Sequence, residues 1–503
     1  MKIQLFVPPQ GYVAQRWEGG SMPPLGILYL AAVLEQAGHD VQVVPADILC
    51  LSWTDIADTI RSFGPRLVGI TTTTENRFDS FRLCRLAKEV DPTIATVMGG
   101  PHISMAKADT MEHLSAVDFL VIGEGEETLV ELVTTLENKA DPSRVKGLYY
   151  RSGGQVVFSG TRPFRRDLDG LPMPARHLVD IDKYNFRVQG RDGRWRKAQN
   201  MMTSRGCPFD CYFCATPVNW GRAMRGLSPE KVIAEVEYLV KHYQAEYIWF
   251  YDDTFNYNVK RLEAIMDLIL ERDLNIRFAC EFRIDHISRP LLAKMRRAGL
   301  ETGFFGIEAG NSRVRREVVH KQFDLDKAFQ FVTWAKELDF TANAFFIFSH
   351  DTETWQEAQE TIAIMERLQA INPEVEITTA ILHVYPGTPL EDLARRKGIV
   401  PKDFSWTRKQ DMRRVYVLPA AQGYVPLYKD RLTWRQIAEL VMRWSATRKK
   451  VLSSSKVKQA LRTLNSWRNL GVYAVFFLVM MKHKLKNKLP AWFRPDKKAN
   501  PPA

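Results

Sequence analysis

A chain of 503 residues with 45% apolar and 25% charged side chains is long enough for about two to four packed domains and too apolar for disorder. Six cysteines, and a first segment that runs from Val7 straight into Pro8-Pro9 with no signal-peptide core, point to a reducing cytoplasm and exclude a disulfide-built secreted fold. The formal charge of +12 is concentrated in residues 443–503, which hold fifteen Lys and Arg against one acid, Asp496; the other 442 residues carry −2, which argues against a nucleic-acid-binding body.

Residues 1–140 alternate apolar strands with helical patterns. Strands are expected at 2–7, 40–44, 67–72, 95–99 and 118–122, with a helix over 24–38. Such alternation predicts an α/β fold with a Rossmann-like, doubly wound parallel sheet, whose ligands sit at the carboxyl ends of the strands. The loops at those ends are Thr71-Thr72-Thr73-Thr74, Gly99-Gly100-Pro101-His102 and Gly123-Glu124-Gly125-Glu126-Glu127-Thr128. Glycines let a bulky ligand approach the backbone, and threonines offer hydroxyls. Taken singly, each loop is equally well explained as turn chemistry. Residues 141–196 read as a connector: a β-hairpin turning at Ser152-Gly153-Gly154, then a Pro-punctuated crossing.

The alternation resumes over 197–400. Strands are expected at 199–203, 247–251, 277–282, 303–307, 341–348 and 376–383, and Ser228 with Pro229 marks a helix start. Six βα units suggest a partial (β/α)6 barrel of the TIM type, with its chemistry at the strands' C-terminal ends. Asp252, Asp253, Arg283, Asp285 and Glu308 fall there. They either cap the rim or bind a ligand.

Between the first two of these strands lies Thr203-Ser204-Arg205-Gly206-Cys207-Pro208-Phe209-Asp210-Cys211-Tyr212-Phe213-Cys214. Half of the chain's cysteines fall within eight residues. Buried apolar cysteines do not cluster in a Gly/Pro loop, and a tetrahedral zinc would need a fourth ligand closer than His242. Three thiolates with no fourth suit an iron–sulfur cluster with one open iron.

This loop resembles the signature of the radical SAM superfamily, and the glycine loops ahead of it, together with Pro23-Pro24-Leu25-Gly26, make the whole similar to the B12-dependent branch of that family. The resemblance covers residues 1–400. It implies a cobalamin-binding domain at 1–140, a radical SAM domain at 197–400, and a [4Fe–4S] cluster on Cys207, Cys211 and Cys214. The open iron would chelate S-adenosylmethionine, with Phe213 the aromatic before the third cysteine. It further implies Asp253 near the methionyl amine, Arg283 near its carboxylate, Glu308 near ribose or amine, and Gly387 near adenine. Thr72, Gly99, Gly100, Gly123 and Gly125 would line cobalamin. Two departures matter. No Asp-x-His-x-x-Gly motif is present, which implies cobalamin without a protein His ligand and His102 as a loop-stabilising residue. The turn Phe348-Ser349-His350-Asp351 replaces the usual glycine turn and places His350 toward substrate.

The resemblance implies a C-methyltransferase acting on an unactivated carbon of an apolar small molecule or lipid, such as a hopanoid or a tetrapyrrole, with an electron donor such as flavodoxin or ferredoxin. Ring formation of the anaerobic magnesium-protoporphyrin ester cyclase type is one alternative, and a non-catalytic cobalamin and cluster sensor another. Residues 401–503 are expected to be a helical region with a basic tail. Its uncharged run 470–481 is too short to span a bilayer; flanked by cations, it suits peripheral contact through 446–498 with the inner face of the cytoplasmic membrane, or packing on the barrel.

Overall fold

The structure is a computed structural model that describes residues 1–9, 20–417, 424–445 and 470–481 without 473, 477 and 480. Its first sheet is built from β1 (Lys2–Val7), β2 (Asp40–Pro45), β3 (Leu67–Thr71), β4 (Ala95–Gly99) and β5 (Phe119–Val121), all parallel, and the antiparallel hairpin β6 (Leu148–Ser152) and β7 (Gln155–Phe158). The order is β2-β1-β3-β4-β5-β6-β7. Alternate residues of β1 feed two separate cores: Ile3, Leu5 and Val7 pack with the helices Leu25–Gln36 and Glu126–Glu137, whereas Phe6 packs with Trp53–Phe63 and Arg77–Val90. A sheet buried on both faces needs such continuous apolar strands.

The hairpin expected within the connector is instead bonded to β5 and completes this sheet. Gly153 (φ 56°) and Gly154 (φ 81°) form the two-residue turn that positive φ angles permit. A connector boundary at 140 therefore cuts the sheet, because β5 is a short strand and its far edge needs a partner.

The second sheet comprises β8 (Arg187–Gln189), β9 (Trp195–Met201), and, beyond the small ribbon β10 (Ser204–Arg205) and β11 (Arg225–Gly226), β12 (Tyr247–Phe250), β13 (Arg277–Phe282), β14 (Leu300–Glu308), β15 (Thr341–Phe348) and β16 (Glu376–Ile381). β9 and β12 to β16 are the six parallel strands of the expected half-barrel; β8 adds an antiparallel edge. The large core lies between these strands and their outer helices: Ile248, Phe250, Phe278, Phe282, Phe305, Ile307, Phe346 and Phe348 all face it. Alternation sends Tyr247, Trp249, Ala279, Phe304 and Phe345 to the opposite, lumen face. There Trp249 stacks on Phe304 (centroids 5.1 Å apart) and Phe304 on Phe345 (5.8 Å).

The described residues of 401–433, namely 401–417 and 424–433, are not the helical region expected. They form a strap in which the short 3-10 turn Lys409–Arg414 is the helical element among the described residues, because Phe404, Trp406 and Met412 anchor in a core shared with the barrel. The buried Arg77 of the first domain donates to the carbonyls of Trp406 (2.9 Å) and Tyr424 (3.1 Å), and Thr407 donates to Asp109 (2.9 Å). The strap thereby ties barrel to first domain. Only Trp434–Ser445 beyond it is a regular helix among the described residues of 401–445. Most of the 446–498 segment expected at a membrane lies outside the described residues. In the described part, Val472 and Val479 are buried and Phe476 packs on the barrel core, while Leu470, Leu478 and Met481 are exposed. Among the described residues, no helix is long and apolar enough to cross a membrane.

Candidate active site

The loop bearing the three cysteines is held at its base by Asp252. This buried carboxylate, at the end of β12, accepts the Thr203 N–H (2.7 Å), the Thr203 hydroxyl (2.6 Å) and the Ser204 hydroxyl (2.5 Å). The buried Arg261 guanidinium donates beneath it to the Thr203 and Leu227 carbonyls. β10 and β11 then close the loop's neck, with Arg205 opposite Arg225. Gly206 (φ 99°) lets the chain turn there, since a Cβ would stand 2.3 Å from the Ala223 carbonyl oxygen.

Cys207, Cys211 and Cys214 are half-buried. The Cys207 N–H donates to Gly221, the Cys214 N–H to Cys211, and the Thr216 N–H to the Cys214 Sγ (3.4 Å). Burial pushes the Cys211 thiol up to about 11 and raises Cys214 as well. Among the described residues, no three His, Cys, Asp or Glu side chains close around one metal ion. Three soft thiol donors on one loop suit an iron–sulfur cluster, whose charge would deprotonate the thiols. Phe213 sits edge-on to Tyr212 (5.8 Å).

The strand-end residues divide into different jobs. Asp253 accepts from the Thr216 hydroxyl (2.8 Å), and burial raises its carboxyl to about 6. The Arg283 guanidinium is bidentate on Asp285 (3.0 and 2.7 Å) and lies 3.7 Å over the Phe209 ring, so it braces the cysteine loop as well as facing the site. Glu308 (φ 68°) is buried and paired with Lys321 Nζ at 2.7 Å. Sequence reasoning missed two members. Glu281, two residues before Arg283 and therefore on the same strand face, has its carboxyl pushed up to about 8 by burial and then by Asp253. Lys321 follows a π-turn, Val314–Val318, and has no motif around it.

His350 does not face an open substrate space. It is buried, its Nδ1 is 3.2 Å from the Tyr212 hydroxyl, and burial lowers it to about 4. The neutral ring is packing under the cysteine loop. The Glu353 carboxylate, accepting the Ser349 and His350 N–H groups, does the work of the missing glycine turn. Gly387 (φ 70°) lies where a Cβ would stand 3.1 Å from the Met105 carbonyl oxygen, a point at which barrel and first domain touch.

On the first domain, the Thr72 N–H donates to Gly99 and its carbonyl accepts from the His102 N–H. The Thr72 hydroxyl oxygen is buried without a hydrogen-bond partner. Gly100 (φ 94°) presses on the Thr72 backbone; a Cβ there would lie 2.9 Å from it. Around Gly99 a Cβ would meet only Val121, at 3.8 Å, so Gly99 leaves backbone open to a large planar cofactor, whereas Thr72 is fully buried. Gly123 (φ 77°) and Gly125 shape the next loop: the Gly123 N–H donates to Ser104 (2.9 Å), and Gly125 fits against Leu30. His102 is fully buried between Phe81 and Trp406, its Nδ1 3.2 Å from the Thr74 hydroxyl, which makes it a loop-stabilising residue.

The two sheets present their C-terminal ends to each other. Tyr385 of the barrel rim donates to Glu75 of the loop after β3 (2.9 Å), and Arg205 at the neck of the cysteine loop meets Glu124 of the loop after β5 (3.0 Å). Tyr251, at the end of β12, is 53% exposed, yet the carboxylates of Glu281, Asp253 and, from the first domain, Glu75 add to burial in raising its phenol.

Residues 18–133 match the model of the B12 binding domain, and residues 201–365 that of the radical SAM superfamily. The chain is 34% identical over 399 residues to an uncharacterized methyltransferase of Pyrococcus horikoshii, covering 78% of this chain and 83% of that protein. It is 28% identical to the anaerobic magnesium-protoporphyrin IX monomethyl ester cyclase of Rubrivivax gelatinosus, over 78% of this chain and 70% of the cyclase. Its fold matches that of the radical S-adenosylmethionine methyltransferase TsrM of Kitasatospora setae with a TM-score of 0.71 at 15% identity, over 96% of this chain and 99% of TsrM.

Proposed function

The chain belongs to the B12-binding radical SAM family, and from that premise we propose that it is a C-methyltransferase acting on an unactivated carbon of an apolar substrate, a polycyclic lipid such as a hopanoid or a tetrapyrrole. It is an enzyme, and the family's cofactors are a [4Fe–4S] cluster, S-adenosylmethionine and cobalamin. When bound, the first two supply a radical that takes hydrogen from an sp3 carbon, and the third supplies a methyl group. The observation that carries the reading is the opposition of the two strand-end faces, cysteine loop on one side and the Gly99-Gly100 loop's sheet on the other, joined by the Tyr385–Glu75 and Arg205–Glu124 contacts.

Cys207, Cys211 and Cys214 would hold the cluster, and Asp253 and Glu308 would receive the amine and ribose hydroxyls of S-adenosylmethionine. The strap and the Tyr385–Glu75 bond help to close the gap against water. Stacked Trp249, Phe304 and Phe345, lining the lumen below, support an apolar substrate. A flavodoxin or ferredoxin would supply electrons.

The similarity to a cyclase favours one other reading, ring formation with the same cofactors. Anaerobic reconstitution with iron, sulfide and hydroxocobalamin, then turnover with methyl-labelled S-adenosylmethionine and either a hopanoid extract or a protoporphyrin ester, separates the two. Label in an apolar product is expected. Deoxyadenosine and a modified product without label would replace methylation by cyclisation.

A further inference from the structure

We propose that Glu124 is a positioning residue that fixes the cysteine loop against the cobalamin-binding sheet, setting the spacing of the two cofactors. The Gly-Glu-Gly-Glu loop was expected to line cobalamin through its glycines, which left its glutamates without a task. Glu124 Oε1 accepts from Arg205 Nη1 (3.0 Å) and from Arg225 Nη1 (2.7 Å), while its Oε2 accepts the Arg165 N–H (2.9 Å). Arg205 Nη2 donates to Glu126 (2.7 Å). Those two arginines are the cross-strand pair that closes the neck of the loop, Arg205 lying two residues before Cys207. One carboxylate from the first domain therefore grips both sides of the neck.

The device is buried and charge-balanced. Side-chain exposures are 6% for Arg205, 7% for Glu124, 7% for Arg225 and 10% for Glu126, so two cations face two anions away from water. Arg205 is further wedged between Tyr29 of the first domain (5.4 Å) and Trp220 of the cysteine loop (5.2 Å), and Arg225 Nη2 donates to the Trp220 carbonyl (2.9 Å). Ion pairs desolvated to this degree stabilise weakly but specify geometry strongly, since any other register strands a charge.

The test keeps charge balance, so that folding is not the readout. The full-length double variant Glu124→Gln/Arg225→Gln retains the Arg205–Glu126 pair and no net charge. Three quantities are compared with wild type: iron and sulfide per chain, hydrogen exchange of the 204–226 amides, and the broadening of the cob(II)alamin resonance when the cluster is reduced with dithionite. Expected are an unchanged melting temperature and iron load, about tenfold faster exchange confined to 204–226, and diminished broadening, with Glu124→Asp falling between. Unchanged exchange and broadening would overturn the proposal. So would loss of iron in step with loss of melting temperature, which would make Glu124 merely structural. The proposal rests on the cofactors and not on the substrate: a wild type that transfers no methyl label refutes the methyltransferase reading and leaves this comparison intact.

Discussion

Asp252 and Asp253 are neighbours with opposite consequences for the fold, and replacing each in turn separates positioning from binding. Asp252→Ala removes the acceptor of three short bonds. The Thr203 and Ser204 hydroxyls can turn toward other acceptors, but the Thr203 N–H cannot, and Arg261 loses its counter-charge. A buried unsatisfied donor costs about 1–3 kcal/mol and a stranded buried charge about 3–5 kcal/mol. Burial acts the other way, since it raises the Asp252 carboxyl above its usual range, so losing that charge returns part of the cost. The net loss should be about 3 kcal/mol, a large share of a marginal stability of about 5–15 kcal/mol. Asp253→Asn should do the reverse. Its carboxyl is raised from 3.8 to about 6, so its contribution to stability is fully present below the unfolded value and lost as pH climbs through about 6. At neutral pH the carboxylate is held charged at a cost of at most about 3 kcal/mol, and an amide that keeps the Thr216 bond should recover about 1 kcal/mol. Urea unfolding of the cofactor-free protein at pH 7 reads both effects; deoxyadenosine release from the reconstituted enzyme should fall at least about tenfold in each. An Asp252→Ala protein as stable as wild type, or an Asp253→Asn protein clearly less stable, would refute the division of labour.

Alanine at Cys207, Cys211 or Cys214 should each prevent cluster assembly, read as iron and sulfide per chain, and abolish deoxyadenosine formation. Gly100→Ala forces a side chain into left-handed backbone and against Thr72, and should cost about 1–3 kcal/mol while lowering retention of hydroxocobalamin on gel filtration; the cluster should assemble as before. Raising pH from 5 to 8 should destabilise the cofactor-free protein through Glu281, whose carboxyl is raised to about 8, and Glu281→Gln should flatten that slope in thermal melts. Deleting residues 446–503 should release the protein from anionic liposomes in sedimentation while sparing deoxyadenosine formation in solution; unchanged sedimentation would remove the membrane role.

Strand positions are legible here because a parallel sheet buried on both faces must be made of short continuous apolar runs, and β13 and β15 begin and end where the pattern does. The polar residues after those runs are legible as a group for the same reason, since chemistry collects at strand ends. Their division is not. Asp252 and Asp253 differ only in which way a strand end turns, and a one-residue step decides whether a carboxylate braces Thr203 or meets the gap. Lys321 reaches Glu308 only because a π-turn resets the chain before it, and Glu124 reaches Arg205 and Arg225 across sequence separations of 81 and 101 residues. Periodicity carries information about the layer a residue occupies; partnerships between layers are set by how two domains close on each other. The same limit explains the strap at 401–417, where Phe404 and Trp406 carry no helical or strand period, yet are anchored by a cleft that exists only once both domains are folded. In this chain the residues proposed to hold the cofactors stand in local motifs, whereas those proposed to set one cofactor's place against the other are ion pairs between domains. Reaction geometry is therefore the property least visible in one dimension, and it is the property that the variants of Glu124 and Arg225 measure.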